Sequence, residues 1–314
     1  MDTFLRKSSS AKHTYLGIGA LFIWAVEPLL VSEIKTLPIF ELLTIVFMSS
    51  FSVTAIKLTI SRKWSTVKNH YPWIWIAGLV GVCGGDFAYI YGAQFAPIAH
   101  VDLIDYLWPC VAVVCTGFLP NERFSWQKII GSSIALFGIY ILVAGDGGLD
   151  NISYEFAVGY LLAFGGAIVW GCYSVFSRYY ASLPIEMVGL YCGIGAMISL
   201  VLHLSMETFV MPSSHEWMMA IITGATGGGI AYQLWDAGVK RGDIYLLSSL
   251  TYVGRLIGMI LLVCFGKEAL TQNLVLACLT TSLGILFSNI NLSSVKLKGL
   301  LKKLVAPIFL AKAQ

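Results

Sequence analysis

Charged residues are scarce in this chain: Asp, Glu, Lys and Arg make up 12% of 314 residues, where a soluble domain carries about a quarter. With 57% of the residues hydrophobic, too little polar surface remains to clothe a water-soluble core. Catalytic and metal-ligand patterns are missing too, since the sequence holds no CxxC, HExxH, Walker A or GxSxG spacing. That argues against an enzyme, a bound metal and a cofactor. The seven cysteines lie in apolar stretches, where they read as small packing residues. A net charge of +3 is too small to suggest a nucleic-acid partner. What remains, with a mean hydropathy of +0.79, is an integral membrane protein whose principal partner is the lipid bilayer.

Ten apolar runs can be marked, at approximately 14–34, 39–59, 73–95, 98–119, 127–144, 156–178, 185–206, 216–238, 243–265 and 271–293. Each is near the roughly 20 residues a spanning helix needs. Lipid admits only helices or closed barrels, and continuous runs of this length are not the alternating strands of a barrel. The first run continues past Glu27 without a small-residue cleavage site, so it is read as a retained helix rather than a signal peptide. Placing the N-terminus in the cytoplasm puts 17 of the 20 Lys and Arg residues on that side. Lys35 and Lys267 alone fall outside, and Arg255 falls within a helix. This is a strong positive-inside pattern, and it places both termini in the cytoplasm of a cell inner-membrane protein.

An internal repeat runs at an offset of 146 residues: Trp24 maps to Trp170, Leu37-Pro38-Ile39 to Leu183-Pro184-Ile185, Tyr106 to Tyr252, and Glu122 to Glu268. Five helices per copy is an odd number, so the second copy enters the membrane inverted, as in many secondary transporters. The expected organisation is a tail 1–13, a first repeat 14–144, a connection 145–155, a second repeat 156–293 and a tail 294–314. That last tail mixes lysines with Leu297, Leu300, Leu301 and Leu304. It reads either as an amphipathic helix on the inner leaflet or as a solvated basic tail.

Charges inside the spans are the costliest residues, at about 2.5–3.5 kcal/mol each on insertion scales. Glu27, Asp86, Asp102, Asp105 and Arg255 are the deep ones, and Asp236 lies near one end of the eighth run. Asp102 and Asp105 share a helix face, a pair that resists simultaneous ionisation, although Asp102 also reads as a group facing water at a helix start. Arg255 either pairs structurally with Asp86 or Glu27, or binds a substrate carboxylate in bidentate fashion. Pro109 removes the backbone donor that would meet the Asp105 carbonyl, and Pro28 does the same for Trp24. Either proline marks an exposed acceptor or a packing kink.

Aromatic residues accompany these charges, among them Trp24, Phe87, Tyr89, Tyr91, Tyr106, Trp108, Trp170, Tyr173, Tyr232, Trp235 and Tyr252. They suit either core packing or a cage for a planar or cationic ligand. Glycines recur in related parts of the two repeats, with Gly78, Gly81, Gly84 and Gly85 against Gly224, Gly227, Gly228 and Gly229, and with GxxxG spacing at Gly81/Gly85 and Gly224/Gly228. Their spacing serves close helix packing or flexible helices lining a pathway. The GDGG stretch at Gly145–Gly148 reads as a tight turn.

The tryptophan within each repeat's first helix (Trp24, Trp170) and the glutamate after each fourth helix (Glu122, Glu268) resemble landmarks of the drug/metabolite transporter superfamily, EamA type. More narrowly, Val101–Pro109 (VDLIDYLWP) is similar to the NYLWP segment of YddG-type aromatic amino acid exporters, with Asp105 in place of its asparagine. Trp235-Asp-Ala-Gly238 and Leu250-Thr-Tyr252 resemble the corresponding later helices, where Gly254 and Arg255 replace an aromatic and a proline. The resemblance implies ten helices in two inverted repeats and Tyr106, Trp108 and Pro109 on the pathway.

The expectation is a transporter of a small zwitterionic, aromatic-type metabolite working by alternating access. Candidate substrate contacts are Trp24, Glu27, Asp86, Tyr89, Asp102, Asp105, Tyr106, Trp108, Trp170, Tyr173, Trp235, Tyr252 and Arg255. Hinges or kinks are expected at Pro28, Pro109, Gly81, Gly85, Gly227 and Gly228. A cationic cargo such as S-adenosylmethionine is the alternative, and a membrane-embedded enzyme or passive channel is remoter. A monomer is expected, with a homodimer left open.

Overall fold

Each of the ten apolar runs forms helix over most of the residues that the computed structural model describes. The described residues are 2–67, 70–116, 126–144, 154–242 and 244–289, with side chains from residue 11 onward except at 113, 116, 128, 129, 143, 144, 244–246, 248, 249, 252, 288 and 289. The helices are α1 (Asp2–Ser32), α2 (Ile39–Ser61), α3 (Pro72–Phe95), α4 (Ile98–Asp105), α5 (Trp108–Thr116), α6 (Trp126–Ala144), α7 (Ala157–Tyr179), α8 (Met187–Met206), α9 (Ser214–Ile222), α10 (Tyr232–Arg241), α11 (Ile244–Cys264) and α12 (Gln272–Asn289). No strand occurs among the described residues. Five helical segments are long and apolar enough to cross a membrane: Ala11–Ser32, Ile39–Ser61, Pro72–Phe95, Tyr154–Tyr179 and Met187–Met206. Their outer faces carry exposed Phe22, Ile60, Leu161 and Leu204, side chains that suit lipid and would be a liability in water. The GDGG stretch, Glu122 and the tail 294–314 lie outside the described residues.

Two apolar runs depart from a single straight helix. The fourth breaks at Tyr106–Leu107, between α4 and α5. Pro109 has no N–H for the Asp105 carbonyl, and the chain tightens instead, with Leu107 N–H donating to Ile104 O at 3.0 Å. The eighth run is π-helical over Thr223–Ala231, between α9 and α10. Its sequence TGATGGGIA contains four glycines, which give the backbone little side-chain reason to hold the tighter α pitch. The first run continues unbroken through Pro28.

The most extensive packing joins α2 to α8, α3 to α7, α6 to α12, and α1 to α10 and α11. Contacts repeat reciprocally at the 146-residue offset. Gly81 abuts Tyr173 while Gly227 abuts Glu27, and Gly138 abuts Thr281 while Gly284 abuts Ala135. Trp24 meets its own counterpart Trp170 at 6.1 Å between ring centroids. Contacts of this kind, in which i meets j and j meets i, are what a two-fold axis between the copies produces.

One end of the bundle is tied by polar contacts. The α2 N-terminus follows Pro38, which offers no side-chain cap, and the Glu207 carboxylate accepts from Phe40 N–H at 3.1 Å and Glu41 N–H at 3.2 Å instead. Glu216 closes a capping box with Ser213 and also accepts from the Thr36 hydroxyl at 2.6 Å. At the end of α11, Gly266 takes φ +66°, and Lys267 N–H reaches Leu262 O at 2.9 Å, a left-handed helix stop only glycine adopts without strain. That stop aims Lys267 at Glu33, which His215 also meets at 3.1 Å. The Lys267 hydrogen bond first, then that of His215, hold the Glu33 carboxyl below its ordinary 4.5. A depressed carboxylate stabilises above its unfolded value and loses that contribution as pH falls through its folded value. Glu33→Gln is therefore expected to lower the melting temperature at neutral pH, with the gap closing as pH falls below the ordinary carboxylate range and through the folded value of Glu33. A gap indifferent to pH would assign the loss to something other than this charge.

Candidate functional site

α1, α3, α4, α5, α7, α10 and α11 each turn residues toward one internal cavity of about 80 Å³. α1 contributes Trp24, Glu27 and Pro28, and α3 contributes Gly85, Asp86 and Tyr89. Asp102 and Asp105 come from α4, Tyr106 from the helix break and Trp108 from the start of α5. The second repeat supplies Trp170, Tyr232 and Arg255. Asp105 and Trp108, three residues apart, would share a face on a straight helix too; Tyr106, at the break between α4 and α5, lines the cavity beside them. Pro109 itself does not line the cavity.

The charges sort into one pair and three single groups. Arg255 makes an ion pair with Asp102, both side chains being at least 93% buried. Its guanidinium carbon sits 4.0 Å from the Tyr106 ring centroid, a cation–π contact. Arg255 thus pairs with Asp102, not with Asp86 or Glu27. Asp102 is buried and engaged, and does not face water at the helix start. The Tyr89 hydroxyl donates weakly to Asp102 Oδ1 at 3.5 Å. Asp86 accepts from the Tyr232 hydroxyl. Glu27 and Asp105 make no ion pair among the described residues, the lining cation Arg255 being engaged by Asp102. Glycines make room for both carboxylates. A Cβ at Gly227 would stand 2.7 Å from Glu27 Oε1, and one at Gly166 would stand 2.9 Å from Asp105 Oδ1.

Aromatic rings surround this polar centre. Trp170 stacks on Tyr232 at 4.8 Å, and Trp24 stands edge-on to both Trp170 and Tyr232. Trp235 lies behind the wall, against Trp24 at 5.5 Å and Trp108 at 5.4 Å. Tyr173 is likewise outside the main cavity, packed on Trp170 and Gly81. Both line a second space of only about 10 Å³, too small for more than about one water. The Tyr252 side chain lies outside the described residues. Of the glycines, Gly85 lines the main cavity, Gly227 faces Glu27 and Gly228 packs on Ser50. No cluster of three or more His, Cys, Asp or Glu able to hold a metal occurs among the described residues.

Tyr232 was visible in the sequence only as one aromatic among many. The signal that singles it out is the repeat: it is the 146-residue counterpart of Asp86. Residues near a two-fold axis face their own counterparts, and this pair meets directly. Gly166 was missed because nothing in a glycine's local sequence tells which side chain will lean on it.

Known proteins resemble this chain along most of its length. The EamA-like transporter family matches residues 12–144 and 157–290, one copy for each repeat. The chain is 33% identical over 271 residues to an aromatic amino acid exporter, YddG, of Ancylobacter novellus, covering 86% of this chain and 94% of that protein. It is 25% identical over 168 residues to the exporter of the same name from Escherichia coli, covering 52% and 57%. An S-adenosylmethionine uptake transporter of Rickettsia prowazekii is 19% identical over 175 residues, covering 55% of this chain and 57% of that one. A solved crystal structure superposes with a TM-score of 0.73 at 32% identity, over 91% of this chain and 98% of the other.

Proposed function

The chain belongs to the EamA-like transporter family and is a transporter of that type; from this we propose that it exports a small zwitterionic metabolite of the aromatic amino acid class across the inner membrane. In this reading ten spans form two inverted five-helix repeats, residues 14–144 and 156–293, with both termini cytoplasmic. The distribution of Lys and Arg supports that orientation, and the reciprocal contacts support the repeat. A monomer is the state proposed, with a homodimer left open.

The observation that carries the cargo reading is the joint presence of carboxylates, one arginine and a ring of aromatics in a single space between the repeats. Asp105, with Asp86 and Glu27 nearby, receives the ammonium group. Arg255 receives the carboxylate, and Trp24, Tyr106, Trp108, Trp170 and Tyr232 receive the flat ring. At about 80 Å³ the cavity is well below the roughly 300 Å³ of common ligand pockets. Cargo therefore enters only when the walls part, which supports alternating access over a standing pore. The helix break at Tyr106–Leu107 and the π-helical Thr223–Ala231 flank the site on α4 and α10, and they are the segments we assign to that motion. One observation favours the second reading, a cationic cargo: Glu27, Asp86 and Asp105 face the cavity with no cation free to balance them.

The test is efflux from proteoliposomes loaded with radiolabelled tryptophan, tyrosine or S-adenosylmethionine, with and without a pH gradient. Asp105→Asn removes one charge-assisted contact of about 1.5–3 kcal/mol, so transport at low substrate should fall at least about tenfold. If none of these cargoes moves, or Asp105→Asn moves them all as before, the site assignment is wrong.

A further inference from the structure

We propose that Asp102 is a built-in rival of the substrate carboxylate for Arg255, and so sets whether this site prefers zwitterions or amines. The inference rests on the cargo reading above and deepens it. Among the described residues Arg255 is the one cation lining the cavity, and it is already paired with Asp102. A substrate carboxylate can reach it only by sharing or displacing that partner. The guanidinium is arranged for such an exchange. It presents five N–H donors in a fixed fork, Asp102 engages Nη1, and Nε has no hydrogen-bond partner. The Tyr106 ring at 4.0 Å holds the cation in place whichever carboxylate it serves.

Asp102 is also the partner able to leave. It sits on α4, an eight-residue helix uncoupled from α5 by the break at Tyr106–Leu107, so α4 can shift without moving the rest of its span. Its other side-chain contact, from the Tyr89 hydroxyl at 3.5 Å, is long. Arg255 lies in the middle of the long helix α11 and is the fixed member. An amine without a carboxylate uses Glu27, Asp86 and Asp105 and leaves the Arg255–Asp102 pair intact. An amino acid must first compete with Asp102. The acid thus works against zwitterions and is neutral toward amines, which is the opposite of a residue that holds the ammonium group.

The experiment measures equilibrium binding of radiolabelled tyrosine, tyramine and tyrosine methyl ester to the purified full chain in detergent. Wild type is expected to bind tyramine and the ester at least as tightly as tyrosine. In Asp102→Asn, tyrosine affinity should rise at least about tenfold, while tyramine affinity stays within about twofold. Tyr89→Phe, which removes only the hydroxyl beside Asp102, should shift tyrosine in the same direction by less, and it keeps the ion pair should Asp102→Asn fold poorly. Equal weakening of tyrosine and tyramine in Asp102→Asn overturns the inference, as does no change in either. So does wild-type binding of tyrosine about tenfold tighter than of the ester, because Arg255 would then already be free. If none of the three ligands binds any variant, the cargo reading fails first and the inference falls with it.

Discussion

Arg255→Leu is expected to destabilise the folded protein by about 3–5 kcal/mol, because it strands the buried Asp102 carboxylate without its counter-charge. The magnitude comes from asymmetry. Ionising a group out of water is costly, and the pair tolerates burial only because each member offsets the other. Removing both at once is a different experiment: the double variant Asp102→Leu/Arg255→Leu replaces a pair with apolar side chains and should recover most of the loss, or exceed wild type by about 1–4 kcal/mol. Denaturant or thermal unfolding in micelles, arranged as a double-mutant cycle, measures this directly. Strictly additive losses would mean the two side chains do not depend on one another. Transport should not recover with stability, since the double variant has no cation left for a carboxylate.

The second large effect concerns packing, and its sign differs between two glycines. A Cβ at Gly224 would run into the backbone of Val46, namely its carbonyl and Cα. Backbone cannot change rotamer to make room, so α2 and the π-helical segment would have to separate. Gly224→Ala should therefore cost about 1–3 kcal/mol and spread to Ser50, whose hydroxyl donates to Gly224 O at 2.7 Å. Gly165 on α7 has nothing within 4 Å of its would-be Cβ. There, Gly165→Ala should stabilise by about 0.5–1 kcal/mol through the helix preference of alanine over glycine. Melting temperatures of the two variants side by side decide the matter. Equal effects would show that general helix propensity, not contact with Val46, governs both positions.

Much of the cavity lining is legible in the sequence. Trp24, Glu27, Asp86, Tyr89, Asp102, Asp105, Tyr106, Trp108, Trp170 and Arg255 all line one cavity. Each carried its own signal: a charge or a large polar aromatic at lipid depth is expensive, and facing an interior cavity is how such a residue lowers the cost. Trp235 and Tyr173 carried a similar signal and instead pack behind the wall, because an aromatic ring is equally content in a core. Tyr232 and Gly166 escaped notice for the converse reason. Their importance lies in what touches them, Asp86 and Asp105 respectively.

What the sequence by itself determined is the set of terms that each residue pays alone. The hydrophobic runs call for helices, because lipid offers no partner for a free backbone group. The Lys and Arg distribution calls for an orientation, and the 146-residue offset calls for two copies of one plan. The scarcity of charge that rules out a soluble fold also makes each deep charge conspicuous. Pairing was decided only in three dimensions. Which acid would hold Arg255 depended on the rotation of α11 against α4 and on the break that ends α4 at Asp105. Coulomb energy at these distances changes steeply with an ångström of separation and with burial. A helix pattern specifies the face a residue lies on, and not the neighbour that the packing brings to it.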